Sequence, residues 1–288
     1  MVQFTEEISK DLKKAKVGNG FFKGILGFQH LIAMFGATVL VPLLTGLDPA
    51  VALFSAGLGT LIFHLCTKGK VPVFLGSSFA FIPVIQVVAK EYGDLRYAQG
   101  GIVTVGLIYV ILSFIIKKIG VDKIRKVLPA QVVGPMIMVI GLNLIPDALK
   151  NAGVNGLLGG ETGAIRNVLI AAVTLGLALI IKHYGKGMLK QVAILIAVVV
   201  GYGISYVMGI VETGAISEAA LLAVPNFTLP KFDLSAIVII VPVVLAVFME
   251  HVGDITTNGQ VVGKNFIEDP GLNRTMLGDG LATFAAGL

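Results

Sequence analysis

The sequence contains no tryptophan, a single cysteine and few charged residues. Because Cys66 stands alone, an intrachain disulfide and a cysteine-cluster metal site are both excluded. Asp, Glu, Lys and Arg make up 14% of the 288 residues, whereas about a quarter is usual in a soluble domain. Hydrophobic residues reach 56%, and the mean hydropathy is +0.91. Such a chain cannot cover a soluble surface, so the composition predicts an integral membrane protein in contact with the lipid bilayer.

Long runs without a charged residue predict the membrane spans. Most reach the roughly 20 residues that a helix needs to cross a bilayer. The first seven runs are 24–47, 49–67, 71–89, 97–116, 127–146, 167–181 and 191–211. An eighth span starts near Leu234 and must include Glu250 to be long enough, and a ninth begins near Leu272. The predicted organisation is an amphipathic N-terminal segment at 1–20, a first group of seven spans at 21–211, an outer loop at 212–233, and the start of a second group at 234–288.

The basic residues predict the orientation. If the N-terminus is cytoplasmic and the spans alternate, 17 of the Lys and Arg residues lie on the cytoplasmic side and 5 lie outside. Cytoplasmic loops of membrane proteins carry such an excess. We therefore expect a multi-pass protein of the inner (plasma) membrane with a cytoplasmic N-terminus. The net charge of +5 is then a topology signal, and no nucleic-acid partner is expected.

The third span is unlike an ordinary helix. It reads VPVFLGSSFAFIPVIQVVAK, with Pro72 and Pro83 on either side of Gly76-Ser77-Ser78. Proline removes a backbone donor and glycine weakens a helix. The pattern predicts extended backbone at 73–80, written as a short strand within an all-α fold, followed by a short helix. In a bilayer such backbone needs protein or a water-filled cavity to satisfy its polar groups.

Glu250 is the strongest candidate for a functional residue. A carboxylate at the centre of a membrane helix costs roughly 2.5 to 3.5 kcal/mol, and such residues usually have a function. The alternative is that the span ends at Met249 and that Glu250 is in water. Because residues 255–263 carry no charge, we favour a span over 234–258 with Glu250 buried in it.

Asp254 follows Glu250 by four residues and lies on the same helical face. Asn258 continues this face one turn further. Two carboxylates this close favour proton uptake by at least one of them, so Asp254 and Glu250 are candidate proton-coupling residues. A structural hydrogen bond by Asp254 is the alternative.

Gln29 and His30 interrupt the first span. His30 and His251 are interpreted separately. An adjacent polar pair at membrane depth is either functional or hydrogen-bonded packing. His251 lies about 100° around the helix from Glu250 and is interpreted as structural, although it can contact another helix. Neither a nucleophile–base pair nor a metal-ligand set is visible, so neither an enzyme nor a metal protein is expected.

Four motifs together resemble one transporter family. They are QHLIAMFGATVLVP, KGKVPVFLGSSFAFIPV, MEHVGD and EDPGLNRTMLGDGLAT, and they occur in the family's order. The chain resembles the nucleobase–ascorbate transporter (nucleobase:cation symporter) family, and within it the bacterial uracil permeases, from Phe21 to Leu288.

The resemblance implies a fold of fourteen membrane segments in two inverted repeats of seven, with a homodimer as a possible assembly. The seven predicted spans of 21–211 would complete one repeat, because an odd number starts the next on the opposite side. The family continues past the position of Leu288 into a segment with a second substrate glutamate. The chain is therefore expected to lack the C-terminal part of the family fold.

The resemblance also implies a function and a site. The expected function is uracil import by proton symport, with no cofactor besides the proton; a xanthine or other purine permease and an anion transporter of the same architecture are alternatives. The implied substrate-binding residues are Glu250 and Phe79, which contact uracil, together with Ser78, Gln29 and His30; the Gln29-His30 pair supports the site. The compared family members carry histidine at the position of Asp254, which leaves the coupling open.

Overall fold

We describe a computed structural model of the chain. It describes residues 20–120, 123, 130–161, 163–186, 188–211, 214 and 224–288. The predicted N-terminal segment, apart from Gly20, and half of the predicted loop at 212–233 lie outside these residues. The described helices are α1 (Gly20–Thr45), α2 (Pro49–Thr67), α3 (Ile82–Tyr92), α4 (Arg96–Ile119), α5 (Ala130–Asn143), α6 (Ile145–Asn151), α7 (Val154–Leu158), α8 (Ala164–Tyr184), α9 (Met188–Gln191), α10 (Ala193–Val207), α11 (Leu234–Ile240), α12 (Val243–Val262) and α13 (Leu272–Gly287), with a 3₁₀ turn at Phe79–Phe81 and a π turn at Ile267–Gly271.

Among the described residues, four stretches of helix are long and apolar enough to cross a membrane. They are Pro49–Thr67, Arg96–Ile119, Ala164–Tyr184 and Leu234–Val262. The last contains α11 and α12, which meet at Val241 and Pro242. Proline there lacks the N–H that would continue the helical ladder. All regular secondary structure among the described residues is thus helical, as predicted for the fold class.

The chain divides into two compact units. One consists of 1–36 and 144–224, where α8 packs against α10. Its helices leave large apolar side chains exposed, such as Leu175 and Val198, as lipid-facing helices do. The other consists of 37–143 and 225–288. This second unit contains Ser78, Glu250 and their surroundings.

The core of the second unit is built around α13. This helix packs against α2 and α4, and glycines at the contacts let the backbones approach closely. A Cβ added at Gly106 of α4 would meet the backbone of Phe284, and one at Gly278 would lie 3.0 Å from Phe63. Small residues at helix contacts are the usual device for close packing in membranes.

The predicted short strand is not seen among the described residues. Residues 72–78 have no regular structure, and the 3₁₀ turn starts at Phe79. A strand needs a neighbouring strand whose backbone groups complete its hydrogen bonds. Here side chains take that role, because Leu75 donates its N–H to Thr60 Oγ1 at 3.0 Å. The prediction of a helix break followed by a short helix is confirmed by α3.

Candidate functional site

The irregular segment 71–78 is held by side chains of two helices. Thr60 of α2 accepts the N–H of Leu75 and donates its hydroxyl to the Ala56 carbonyl at 2.7 Å. Asn258 of α12 donates to the carbonyl of Pro72 at 3.3 Å. Backbone at membrane depth requires such partners. The segment is therefore hydrogen-bonded to both α2 and α12.

Ser78 connects this segment to Glu250. Its hydroxyl donates to Glu250 Oε2 at 2.7 Å, and both side chains are half-buried. Ser78 Oγ also accepts the N–H of Ala80 at 3.3 Å and so caps the 3₁₀ turn. A hydrogen bond to a carboxylate is about twice as strong as one between neutral groups. The two predicted residues Ser78 and Glu250 thus meet, although 172 positions separate them.

Glu250 lies within a continuous helix. The alternative that the span ends at Met249 is wrong, because α12 continues to Val262. Asp254 follows on the same face, and its side chain is exposed in the structure. Asn258, one turn further, contacts Pro72. The polar face therefore borders the irregular segment at both of its ends.

Phe79 begins the 3₁₀ turn directly after Ser78, and its side chain is half-buried. The first N–H groups of a helix have no partner within the helix. The amide of Phe79 thus starts the turn directly after the serine that holds Glu250.

A cavity of about 420 Å³ extends through the second unit. Its lining includes Asp94 and Arg96, where α4 begins, and also Ser78, Phe81 and Asp279. Small-molecule sites typically measure about 300 to 1,000 Å³. The cavity has the size of such a site and touches the serine that holds Glu250.

Sequence reasoning missed a buried network beside Glu250. His251, interpreted as structural, is only 7% exposed and contacts two residues of α13. Its Nδ1 lies 3.0 Å from Asp279 Oδ2, and its Nε2 lies 3.0 Å from Thr275 Oγ1. Asp279 could have been identified from the sequence as an acidic residue inside an apolar span, because such residues are costly in a membrane. Its partner was not visible in the sequence.

Gln29 and His30 lie in α1, within the other unit. The side chain of Gln29 is outside the described residues, and that of His30 is exposed. Their support of the site therefore stays a prediction.

Two ion-paired or hydrogen-bonded carboxyl groups lie at helix starts outside the spans. The ammonium group of Lys231 donates to Asp94 at 2.9 Å and lowers the pKa of that carboxyl below its usual value. The hydroxyl of Tyr92 donates to Asp233 at 2.7 Å and lowers its pKa in the same way. Asp233 also caps α11 through the N–H groups of Ser235 and Ala236. These contacts connect the chain segments before α4 and α11.

The groups of the site can form hydrogen bonds to a ligand. A carboxylate has several lone-pair positions, so Glu250 can hold Ser78 and accept a ligand N–H together. The described part of the chain contains no group of three His, Cys, Asp or Glu residues that could hold a metal ion. A ligand with N–H donors next to carbonyl acceptors would match Glu250 and the Phe79 amide.

Known proteins match most of the chain. A family model described as Permease family matches residues 23–288. "Probable uracil permease" of Pasteurella multocida is 42% identical over 265 residues, which are 92% of this chain and 62% of that protein. "Uracil permease" of Escherichia coli K12 is 41% identical over 265 residues, 91% of this chain and 60% of that protein. "Uracil permease" of Bacillus subtilis is 39% identical over 267 residues, 90% of this chain and 61% of that protein.

The chain spans about three fifths of the length of these relatives. The match covers all four motifs that carried the resemblance, and the apolar helices agree with a multi-pass membrane protein. The chain belongs to the nucleobase–ascorbate transporter family.

Proposed function

We propose that the chain is part of a secondary transporter that imports uracil together with protons. The observation that supports the proposal is the 2.7 Å hydrogen bond from Ser78 to Glu250, which joins the carboxylate to the residue directly before the 3₁₀ turn. The names of the relatives support uracil as the substrate. A transporter needs no bond-making residues, which fits a site that offers only hydrogen bonds and an aromatic ring.

Uracil presents N–H donors beside C=O acceptors on one edge. In the proposal, Glu250 accepts from a ring N–H, the Phe79 amide donates to the neighbouring carbonyl, and the Phe79 ring stacks on the base. Ser78 orients the carboxylate, and Gln29 and His30 support the site. Glu250 and Asp254 are the proposed proton-coupling groups, and no cofactor besides the proton takes part.

The proposed topology places the N-terminus in the cytoplasm and the chain in the inner membrane. The asymmetric distribution of Lys and Arg supports it. The seven segments of 21–211 form the first inverted repeat, the loop at 212–233 lies outside, and 234–288 begins the second repeat. A homodimer is the proposed assembly. Labelling of Lys186→Cys and Asn226→Cys, each made in a Cys66→Ser background, from outside intact cells tests the orientation, since only the second should react.

Uptake of labelled uracil by the complete gene product tests the function. Expressed in cells without their own uracil uptake, it should accumulate uracil when the outside is acidified. Glu250→Gln loses a charged hydrogen bond, which is worth about 1.5 to 3 kcal/mol, so binding should weaken about 10- to 150-fold. Glu91→Gln makes the same chemical change at an exposed position and is the control.

Normal uptake by Glu250→Gln, with equal expression, would refute the site. Competition separates the substrates, because excess xanthine should leave uracil uptake unchanged if the carrier is specific for the pyrimidine. Strong inhibition by xanthine would favour the purine permease. Chloride flux without uracil would favour the anion transporter.

A further inference from the structure

Residues 225–233 form a strap across the first turn of α4. The N–H of Lys231 donates to the Arg96 carbonyl at 2.9 Å, and the Lys231 ammonium group pairs with Asp94 at 2.9 Å. A Cβ at Gly100 would overlap the carbonyl oxygen of Lys231, so the strap lies this close to α4 only because the position is glycine. These contacts fix the Lys231 end of the strap to α4.

The other end of the strap contacts α2 and orients a glutamine of α4. The ring of Phe227 packs edge-on against Phe54 of α2, with the ring centroids 5.3 Å apart. Thr228 donates its hydroxyl to Gln99 Oε1 at 3.0 Å. Among the described residues, no hydrogen bond occupies Gln99 Nε2. The strap therefore holds this half-buried carboxamide by its oxygen and leaves its two N–H donors for a ligand.

Two carboxamides line the cavity that also reaches Ser78. One is Gln99, and the other is Asn226 of the strap, whose side chain is exposed. A carboxamide offers a donor and an acceptor side by side. Uracil presents an N–H next to a carbonyl, so a carboxamide can form two hydrogen bonds with that edge of the ring. The cavity thus has groups that match a nucleobase beside the strap as well as at Glu250.

The position beside the strap is distinct from the Glu250 site. Asp279 of α13 lines the cavity and lies 3.0 Å from His251, the neighbour of Glu250 in the sequence. Gly287 marks the other end of α13, and a Cβ there would lie 3.0 Å from the Gln99 carbonyl oxygen. From 279 to 287 a helix rises about 12 Å. That is longer than a pyrimidine ring, so uracil at the Gln99 carboxamide occupies a different position from uracil at Glu250.

We propose that Gln99, Asn226 and Thr228 form an outer subsite, where uracil binds before it reaches Glu250. This rests on the proposed function and on the proposed topology, which places 212–233 outside. Gln99 Nε2 donates to a ring carbonyl, and the Asn226 carboxamide pairs with a ring N–H and its neighbouring carbonyl. Thr228 is a positioning residue, because it holds the Gln99 oxygen. The ligand class is a nucleobase with a free N–H beside a carbonyl.

Protection of a cysteine tests the subsite without transport. Ser55 of α2 lines the cavity and follows Phe54, which contacts the strap. The complete gene product is prepared with Ser55→Cys, Cys66→Ser and Glu250→Gln. Uracil should still slow the reaction of this cysteine with a maleimide, because the subsite does not use Glu250. 1,3-Dimethyluracil should protect much less, since a site built to accept an N–H rejects a ring that lacks one.

Substitutions in this background test the assigned residues. Gln99→Ala loses one neutral hydrogen bond, so the uracil concentration for half protection should rise about 2- to 12-fold. Gln260→Ala makes the same chemical change at an exposed position of α12 and is the control. Thr228→Val should weaken protection because the Gln99 carboxamide loses its partner, and Thr228→Ser should restore protection because the hydroxyl returns. This rescue separates orientation of Gln99 from a general disturbance of the strap.

Uptake measures whether the subsite lies on the path to Glu250. In a chain with Glu250 intact, Gln99→Ala should lower uptake at low uracil concentration by a similar 2- to 12-fold factor. Uptake at saturating uracil should stay the same, because the complex at Glu250 is unchanged. A folding defect would instead lower uptake at every concentration.

The outcomes distinguish this inference from the proposed function. If the complete gene product does not take up uracil, the proposed function fails, and protection of Ser55→Cys still decides whether uracil binds at the strap. Lack of protection in the Glu250→Gln background overturns the inference, as does equal protection by 1,3-dimethyluracil. Protection that is unchanged in Gln99→Ala overturns the assignment of Gln99. Unchanged uptake at low uracil concentration overturns the entry role.

Discussion

Substitution of Ser78 by alanine removes one atom, Oγ, and with it two hydrogen bonds. The hydroxyl donates to Glu250 at 2.7 Å and accepts from Ala80 at 3.3 Å. A hydrogen bond to a charged group contributes about 1.5 to 3 kcal/mol, and loss of a helix cap costs about 0.5 to 2 kcal/mol. Because both side chains are only half-buried and the cap bond is long, we expect the low end of each range, or about 2 kcal/mol in total.

The expected consequence is a lower thermal unfolding temperature in detergent and weaker uracil binding. Ser78→Thr keeps the hydroxyl and should retain most of both. Ser77→Ala makes the same chemical change at the adjacent half-buried residue and should change the unfolding free energy by less than about 0.5 kcal/mol.

A double-mutant cycle isolates the bond to Glu250. Ser78→Ala and Glu250→Gln are made singly and together, and the unfolding free energy of each is measured. Residues in direct contact typically show a coupling of about 0.5 to 3 kcal/mol, and here we expect at least 1 kcal/mol. Additive effects within about 0.3 kcal/mol would show that the contact does not connect the irregular segment to α12.

Two further predictions concern packing and pH. Gly106→Ala forces α4 away from the backbone of Phe284 and should destabilise the fold by about 1 to 3 kcal/mol, whereas Gly57→Ala, which meets no atom within 4 Å, should be neutral or stabilising; equal unfolding temperatures would contradict the packing. The pKa of Asp94 is lowered by Lys231, so its stabilisation is present above the ordinary carboxyl pKa near 4 and is lost as the pH falls through the lowered value. Lys231→Met should therefore flatten the acid side of a plot of unfolding temperature against pH, and an unchanged plot would count against the ion pair.

Composition and local pattern were sufficient for the class of this protein. A shortage of charge together with long apolar runs predicts membrane helices, because a bilayer leaves no other way to satisfy the backbone over about 30 Å. Pro72, Pro83 and the glycine between them predicted the break before α3, because proline lacks a backbone donor and glycine weakens a helix. Glu250 was visible because a lone carboxylate in such a run is costly. These signals depend on each residue and its near neighbours.

Tertiary structure decided the partners. Ser78 meets Glu250 and His251 meets Asp279 only because α12 packs beside the irregular segment and α13. The predicted strand gave way to loop backbone because Thr60, fifteen residues earlier, supplies the hydrogen bond that a neighbouring strand would have made. His251 was taken as structural because helical spacing shows which face a side chain occupies and not what lies opposite it. Which groups pair across helices depends on packing, and packing is a property of the whole chain.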